Sequence, residues 1–188
     1  MDALLFDFDG VIADSEPVHY EGFFDVLAEV GVPLPRELYY EKYLGYDDRD
    51  AFPHIYGDLG IALSTKTLES LIAAKTILVQ EKLQTIAPIP GTAAMIPAAH
   101  AAGIPLAICS GALRAEVDIA ARAIGVRECF PVVVAAEDVA RGKPDPEGFT
   151  KALAQLGAQL GCEFDPAQTL VIEDSPAGIA SGKAGGYM

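Results

Sequence analysis

Four short apolar segments constrain the fold of this chain more than any other feature of its sequence. They are residues 3–6, 105–109, 131–135 and 169–173, and helical patterns separate the last three. Apolar strands that alternate with helices form a parallel sheet covered by helices on both faces. The sequence therefore predicts an α/β protein built on a Rossmann-like parallel sheet.

Residues 15–85, between the first and second apolar segments, show only helical patterns. One helix is expected at about 49–56, where Pro53 should shorten it because proline removes a backbone donor. Since the first strand belongs to the same sheet as the later ones, the helical block is an insertion. We predict an α/β core domain of residues 1–14 and 86–188, with an inserted all-α domain of residues 15–85.

Polar residues follow the apolar segments at the ends where the strands finish. In open parallel sheets the ligand site lies beyond these carboxyl ends, so the side chains are expected to converge there. An Asp-x-Asp pair on its own also occurs as an acidic surface turn, and the other positions are needed to exclude that interpretation. The residues in question are Asp7 and Asp9, Ser110, Lys143 in the loop beyond the third strand, and Glu173 and Asp174.

Several carboxylates beside one lysine indicate a phosphoryl-transfer site with a divalent cation. Oxygen-rich sites led by carboxylates suit Mg²⁺, which keeps waters and takes phosphate oxygens as ligands. Ser110 precedes a helix, and helix N-termini favour anions, while Lys143 supplies a compact positive charge. Asp7 is then placed as a nucleophile that forms an aspartyl-phosphate, and Asp9 as the acid and base.

The charge and the cysteines limit the partners of the protein. The chain has 13 basic and 27 acidic residues and a net charge of −14, so we expect neither nucleic acid nor a membrane as a partner. Its three cysteines are odd in number and lack metal-ligand spacing, which favours reduced thiols and a cytoplasmic location. We expect a monomer or weak dimer that binds a small phosphorylated metabolite.

Four stretches, DFDGVIADSE, CSGA, RGKPDP and IEDSPAGI, resemble the four motifs of the haloacid dehalogenase superfamily, in the same order. The likeness is greatest to its phosphatase and beta-phosphoglucomutase branch, which carries a helical cap after the first motif. In that family the sheet continues with another strand after the fourth motif. The resemblance therefore implies that a C-terminal strand is missing beyond Met188, in a shortened or a naturally short chain, and that a sheet edge is exposed.

The same resemblance implies a role for each motif residue. Asp7 would be the nucleophile and a metal ligand, and Asp9 would be the acid and base whose backbone carbonyl also binds the metal. The remaining implied roles are phosphate binding by Ser110, Gly111 and Lys143, and Mg²⁺ binding by Asp174 with support from Glu173.

Three residues of the helical block are candidates for substrate recognition. Lys75 lies on the apolar stripe of a long helix, and it either snorkels past the core edge or reaches the substrate phosphate as a cap residue. His19 resembles a mutase cap histidine, although a histidine that packs at the hinge is equally consistent with its position. Arg49 follows the Gly45 loop one position out of the mutase register, which favours a solvated arginine.

These observations favour a Mg²⁺-dependent phosphatase for a small phosphomonoester, either a sugar phosphate or a phosphoglycolate-like compound. The alternative enzyme is a sugar phosphomutase, whose intermediate carries two phosphates. Asp47, Asp48 and Asp50 surround Arg49 and would repel a second phosphate, which favours hydrolysis. A third possibility, from another class, is a truncated, non-catalytic phosphate-binding protein.

Overall fold

The structure, a computed structural model, describes residues 2–44, 46 and 48–188. The chain forms two compact units, one of Met1–Ser15 with Leu83–Met188 and the other of Glu16–Lys82. The first is called the α/β unit below and the second the helical unit. The boundaries of the helical unit differ from the predicted 15–85 by one residue at its start and three at its end.

The described strands of the α/β unit form one four-stranded parallel sheet, as the apolar segments predict. Its strands are β1 (Ala3–Phe6), β2 (Leu106–Cys109), β3 (Val132–Val134) and β4 (Thr169–Ile172), in the order β3-β2-β1-β4. In the register, Leu4 lies opposite Leu106 on one side and Leu170 on the other. Strand β1 is therefore central, and its carboxyl end lies beside that of β4.

The helical unit is built around aromatic side chains. Phe23 contacts Phe52 edge to face at 4.9 Å between ring centroids, and Tyr39 packs against Phe23 at 5.7 Å. All three rings are almost fully buried, so they form the centre of this unit. Its helices are α1 (Glu16–Glu29), α2 (Arg36–Leu38) with a following π-helical turn (Tyr39–Tyr43), α3 (Asp48–Asp58) and α4 (Thr65–Leu83).

The expectation that Pro53 shortens its helix was wrong. Helix α3 runs on to Asp58 with Pro53 inside it. Proline removes one intrahelical hydrogen bond, but Phe52 and Ile55 on the same helix are 0% and 1% exposed. Burial of these side chains offsets the lost hydrogen bond, so packing decides the length of α3.

Helices flank the sheet of the α/β unit. Alternate strand residues, such as Leu5 and Ala107, pack with Phe149 and Leu156 in one buried cluster. None of the described helices is long and apolar enough to cross a bilayer. The helices of this unit are α5 (Thr92–Ala101), α6 (Arg114–Ile124), α7 (Glu147–Leu160) and α8 (Pro176–Ala184).

Helix α7 ends three residues later than the sequence predicts. The sequence places its end near Gly157, whereas the helix runs to Leu160 and finishes at Gly161 with a φ of +70°. A Cβ atom on Gly157 would lie 2.6 Å from the carbonyl oxygen of Cys162. Position 157 therefore requires glycine, because the following chain packs too closely for a Cβ atom.

Both outer edges of the sheet carry hydrogen-bond partners. At β4, the amide of Met188 donates to the carbonyl of Thr169, and the amide of Val171 donates to the carbonyl of Met188, both at 3.0 Å. At β3, the guanidinium of Arg114 donates to the carbonyl of Val133 at 3.0 Å. The edge of β4, predicted to be exposed, is thus partly paired by the last residue of the chain.

Candidate active site at the ends of the strands

Asp7 is held at the carboxyl end of β1, directly after the buried Phe6. Its amide donates to the carbonyl of Ile172 in β4 at 2.9 Å, and the residue is only 7% exposed. The ammonium of Lys143 lies 2.5 Å from Asp7 Oδ1 and 2.5 Å from Glu173 Oε1. The loop after β3 therefore brings its lysine between the acids that end β1 and β4.

Three acids at this place form a group suited to a metal ion. Asp7, Glu173 and Asp174 each offer one carboxylate oxygen, and these oxygens all lie within 4.8 Å of one another. Gly10, with a φ of +76°, makes room for Asp174, because a Cβ there would lie 2.1 Å from Asp174 Oδ2. Hard, carboxylate oxygens are the donors that Mg²⁺ prefers, so the residues present fit this ion.

Glu173 is fixed by the start of helix α8. Its Oε2 accepts hydrogen bonds from the amide of Ser175 at 2.8 Å and from the Ser175 hydroxyl at 2.9 Å. The same hydroxyl accepts from the amide of Gly178 and caps the helix. A Cβ on Gly178 would overlap the carboxyl group of Glu173, at 1.7 Å from Oε1. Both oxygens of Glu173 are thus held by the chain itself, which suits a supporting role beside Asp174.

The crowding of charge shifts the acidity of these groups. Burial, with the neighbouring charges of Asp9 and Glu173, raises the pKa of Asp7 to about 7, although Lys143 acts in the opposite direction. Burial and the charge of Glu173 also raise the pKa of Asp174. Burial alone would raise the pKa of Glu173, but Lys143 and Ser175 hold it below its ordinary value. An added cation would stabilise the ionised form of Asp7.

Asp9 lies outside the group of three acids. Its Oδ1 accepts a short hydrogen bond from the hydroxyl of Ser15, and its Oδ2 accepts one from the Ser110 hydroxyl at 3.3 Å. Ser15 is 1% exposed, and the sequence indicated only a helix start there. The signal that could have found it is a hydroxyl six residues after Asp9 within the first motif. Two hydroxyl groups thus orient the carboxylate of Asp9, and its charge still acts on Asp7.

The phosphate-binding segment after β2 differs from the sequence expectation in one respect. Ser110 does end the strand, and its hydroxyl accepts from the amide of Ala112 at 2.9 Å. Helix α6, however, begins only at Arg114, whose amide donates to the carboxylate of Glu137 at 3.1 Å. The helix N-terminus is thus engaged by the chain's own acid. Gly111 lies in open space, where a Cβ would meet nothing within 4 Å.

In the helical unit, the candidate Lys75 is buried and paired. Its side chain is 3% exposed, and its ammonium forms a short ion pair with Asp48. The ammonium also lies 3.4 Å from His19 Nδ1 and 4.1 Å from the centroid of the Phe23 ring. Lys75 therefore does not snorkel to solvent, and its charge is balanced within the unit.

The other candidates of the helical unit are placed differently. His19 is half-buried beside Lys75, whereas Arg49 is exposed on helix α3. The structure thus brings Lys75 and His19 together with Asp48. Gly45 and Asp47, which precede Arg49 in the sequence, lie outside the described residues.

Comparisons with known proteins agree with this arrangement. A model of the haloacid dehalogenase-like hydrolase family matches residues 1–186. The CbbY protein of Rhodobacter capsulatus is 33% identical over 98% of this chain and 82% of its own length. A phosphorylated carbohydrates phosphatase of Thermotoga maritima is 27% identical, over 99% of this chain and 82% of that protein.

A mutase and a solved structure are also among the similar proteins. The beta-phosphoglucomutase of Bacillus subtilis is 25% identical over 99% of this chain and 80% of that protein. The crystal structure of CbbY from Rhodobacter sphaeroides in complex with phosphate superimposes with a TM-score of 0.85 and 29% identity, and covers all of this chain and 84% of that one. The chain thus spans about four-fifths of the length of these relatives.

Proposed function

Because the chain belongs to the haloacid dehalogenase-like hydrolase family, we propose that it is a Mg²⁺-dependent phosphatase of small phosphomonoesters. The observation that carries the proposal is the meeting of Asp7, Lys143 and Glu173 at 2.5 Å contacts, with Asp174 beside them. A nucleophile, a cation and two further acids are the groups that phosphoryl transfer through an enzyme carboxylate requires. The relative named as a phosphorylated carbohydrates phosphatase supports a sugar phosphate as substrate, and a phosphoglycolate-like compound is the alternative.

In the proposed first step, an Asp7 carboxylate oxygen attacks the phosphorus atom and forms an acyl phosphate. The bond from phosphorus to the substrate oxygen breaks, and that oxygen takes a proton from Asp9. In the second step Asp9 takes a proton from water, whose oxygen attacks phosphorus and releases Asp7. Asp9 suits both transfers because the hydroxyl groups of Ser15 and Ser110 orient its carboxylate.

Other residues stabilise the transferred phosphoryl group. Lys143 supplies a positive charge at the equatorial oxygens, and the segment of Ser110 and Gly111 supplies hydrogen-bond donors. Mg²⁺, when bound, neutralises the acids and stabilises negative charge on the phosphoryl group. Asp174 and Asp7 would hold this ion directly, with Glu173 in support and the backbone carbonyl of Asp9 as a further ligand.

The charge of the helical unit supports hydrolysis over isomerisation. A mutase intermediate carries two phosphates, and its second phosphate needs a cation. Lys75 would be that cation, but Asp48 neutralises it within the same unit. The exposed Arg49 has acids at Asp48 and Asp50, which would repel a second phosphate. A substrate with one phosphate therefore agrees better with these residues.

Release of phosphate from a panel of sugar phosphates and phosphoglycolate tests this function. We expect hydrolysis with Mg²⁺ and none after exhaustive EDTA treatment. The Asp7→Asn variant should lose turnover by at least about 10²-fold, because it lacks the nucleophile. Asp9→Asn should slow both steps, and the acyl phosphate should accumulate in that variant if hydrolysis is slowed more than formation. No acyl phosphate should form in Asp7→Asn.

The alternatives give different results in the same assays. Conversion of glucose 1-phosphate to glucose 6-phosphate, primed by a sugar bisphosphate and faster than phosphate release, would identify a mutase. Phosphate binding without any turnover would identify a non-catalytic phosphate-binding protein. Wild-type activity in Asp7→Asn would contradict the covalent mechanism itself.

A further inference from the structure

We infer that Glu147 is a positioning residue that holds the Lys143 loop in place for phosphate binding. The inference rests on the proposed function, because it assigns phosphate binding to Lys143. Glu147 is the first residue of helix α7, four residues after Lys143. Its carboxylate acts on the backbone of the loop, and it does not touch the acids at the ends of the strands.

The contacts of Glu147 close the loop around the lysine. Oε1 accepts from the amide of Ala140 at 3.0 Å, and Oε2 accepts from the amide of Arg141 at 3.1 Å. Lys151 on the next turn of the helix donates to Oε1 at 2.7 Å. One carboxylate thus ties the backbone before Lys143 to the helix that follows it. The pKa of Glu147 is lowered to about 2 by Lys151 and the two amides, so the carboxylate is ionised throughout the physiological range.

A second set of contacts fixes the loop from the other side. Ser181, a fully buried residue of α8, donates to the carbonyl of Asp145 at 2.8 Å. The carboxylate of Asp145 accepts from the amide of Glu147 at 3.0 Å and lies 3.2 Å from Arg141 Nε. These bonds connect the lysine loop to the helix that begins beside Glu173. The backbone before Lys143 is therefore tied to α7, and the backbone after it is tied to α8, which begins beside the acids that follow β4.

The ammonium of Lys143 depends on this anchoring because its side chain is long. It extends from the loop over the buried ring of Phe149, at 5.1 Å from the centroid, to reach Asp7 and Glu173. A lysine that must contact a phosphate in one geometry binds it more tightly when its backbone is already ordered, because less conformational entropy is lost on binding. Loss of the Glu147 carboxylate would leave the same charge in place but less precisely held.

The test compares phosphate binding in three variants of the full chain. Glu147→Gln leaves one acceptor oxygen for two backbone amides, so one of them faces an NH₂ group. Lys151→Met removes the 2.7 Å ion pair to Glu147 and the hydrogen bond from Lys151 to the carbonyl of Asp138. It leaves both amide bonds to Glu147 and the 4.0 Å contact with Arg141. Asp118→Asn is the matched control, because it removes a carboxylate of similar exposure, 24% against 18%, from an ion pair with Arg127 in the same unit. Glu147→Gln and Asp118→Asn change the net charge equally.

Titration calorimetry of the Mg²⁺-loaded proteins with inorganic phosphate gives the dissociation constants. We expect Glu147→Gln to raise Kd at least about fivefold and to lower kcat/KM for p-nitrophenyl phosphate similarly. Lys151→Met and Asp118→Asn should stay within about twofold of wild type. The charge change alone predicts the opposite result, because removing a negative charge should strengthen the binding of an anion. A weaker affinity for phosphate would therefore not be explained by the net charge.

Other results would overturn the inference. Glu147→Gln could bind phosphate with a Kd within twofold of wild type, even if its melting temperature is lower. In that case Glu147 stabilises the start of the helix and does not position Lys143. Equal weakening by Lys151→Met would assign the effect to the ion pair and not to the amides. A wild-type protein that binds no phosphate would overturn both this inference and the proposed function. If the wild type binds phosphate and Glu147→Gln binds it equally well, only the inference about Glu147 fails.

Discussion

Each unit of the molecule contains a lysine that is withdrawn from solvent, and the two lysines have similar surroundings. Lys143 lies 5.1 Å from the ring of Phe149, and Lys75 lies 4.1 Å from the ring of Phe23. Both ammonium groups are ion-paired to carboxylates. The difference lies in the partners, because among the described residues Lys143 pairs with two acids and Lys75 with Asp48 alone.

This difference determines which of the two lysines can bind a ligand. The partners of Lys143, Asp7 and Glu173, belong to the acidic group that fits Mg²⁺. An added cation would share these acids, and the ammonium would then be available to an anion. Among the described contacts, Asp48 has no other cation beside it and does not belong to a metal-binding group. The charges of Lys75 and Asp48 therefore neutralise each other. A buried lysine is thus a candidate for phosphate binding only where its counter-ions have another cation to neutralise them.

The largest effect expected from this comparison is that of Lys143→Met. The variant loses the cation at the phosphoryl group, so kcat/KM should fall by about 10²- to 10³-fold for every phosphate ester. The measurement is the hydrolysis of p-nitrophenyl phosphate and of the best metabolite from the panel. Lys75→Met is the control, and it should leave p-nitrophenyl phosphate within a few-fold of wild type. Equal losses in the two variants would break the distinction between the lysines.

A second prediction uses the raised pKa of Asp7. Below a pKa of about 7 this carboxyl is protonated, and Mg²⁺ must displace the proton before it binds. The Mg²⁺ affinity should therefore fall about tenfold for each pH unit below 7 and level off above it. Calorimetry at several pH values measures this slope. In Asp7→Asn the affinity should be lower and nearly independent of pH between 5 and 7.

The same shift predicts how the metal-free protein responds to pH. A carboxyl whose pKa is raised on folding binds its proton more tightly in the folded state, so it favours folding at low pH. Its contribution is present below the unfolded pKa near 4 and is lost as the pH rises through about 7. Mg²⁺ should restore stability most at the high end of this range. A melting temperature equally raised by Mg²⁺ at pH 5 and pH 8 would contradict the role of Asp7.

The sequence predicted the strands that position this site better than it predicted the side-chain contacts within the site. The strands are short apolar runs, and β1 lies at the predicted residues 3–6. Their polar ends converge because a parallel sheet aligns its carboxyl ends, which requires no knowledge of side-chain packing. Parallel topology and motif order therefore sufficed to bring Asp7, Lys143 and Glu173 together.

What the sequence missed depends on pairings between distant residues. Asp48 lies 27 positions from Lys75, and nothing in the helical period indicates that the two would pair. Glu147 lies in the first turn of a helix, where acids are common, and nothing in the sequence indicates that its carboxylate accepts from the amides of Ala140 and Arg141. The end of α7 and the helix through Pro53 were also misjudged, because tertiary packing overrides local breakers there. Periodicity indicates which face is buried, but it does not indicate which charges meet.

The smallest expected effect concerns the Lys75–Asp48 pair and the stability of the helical unit. Asp48→Asn removes the charge that balances a lysine side chain that is 3% exposed, whereas Asp48 itself is 25% exposed. Removal of one partner from a buried pair is costly, but the exposure of Asp48 reduces that cost to about 1–2 kcal/mol. Lys75→Met instead removes the buried charge and leaves only Asp48, which water can reach, so its cost should be smaller. Thermal unfolding should therefore show a melting temperature lowered by about 2–8 °C in Asp48→Asn and little changed in Lys75→Met. If Asp48→Asn unfolds at the wild-type temperature and binds a sugar bisphosphate no better, the pair neither stabilises the unit nor withholds Lys75 from a second phosphate, and the contrast between the two lysines is lost.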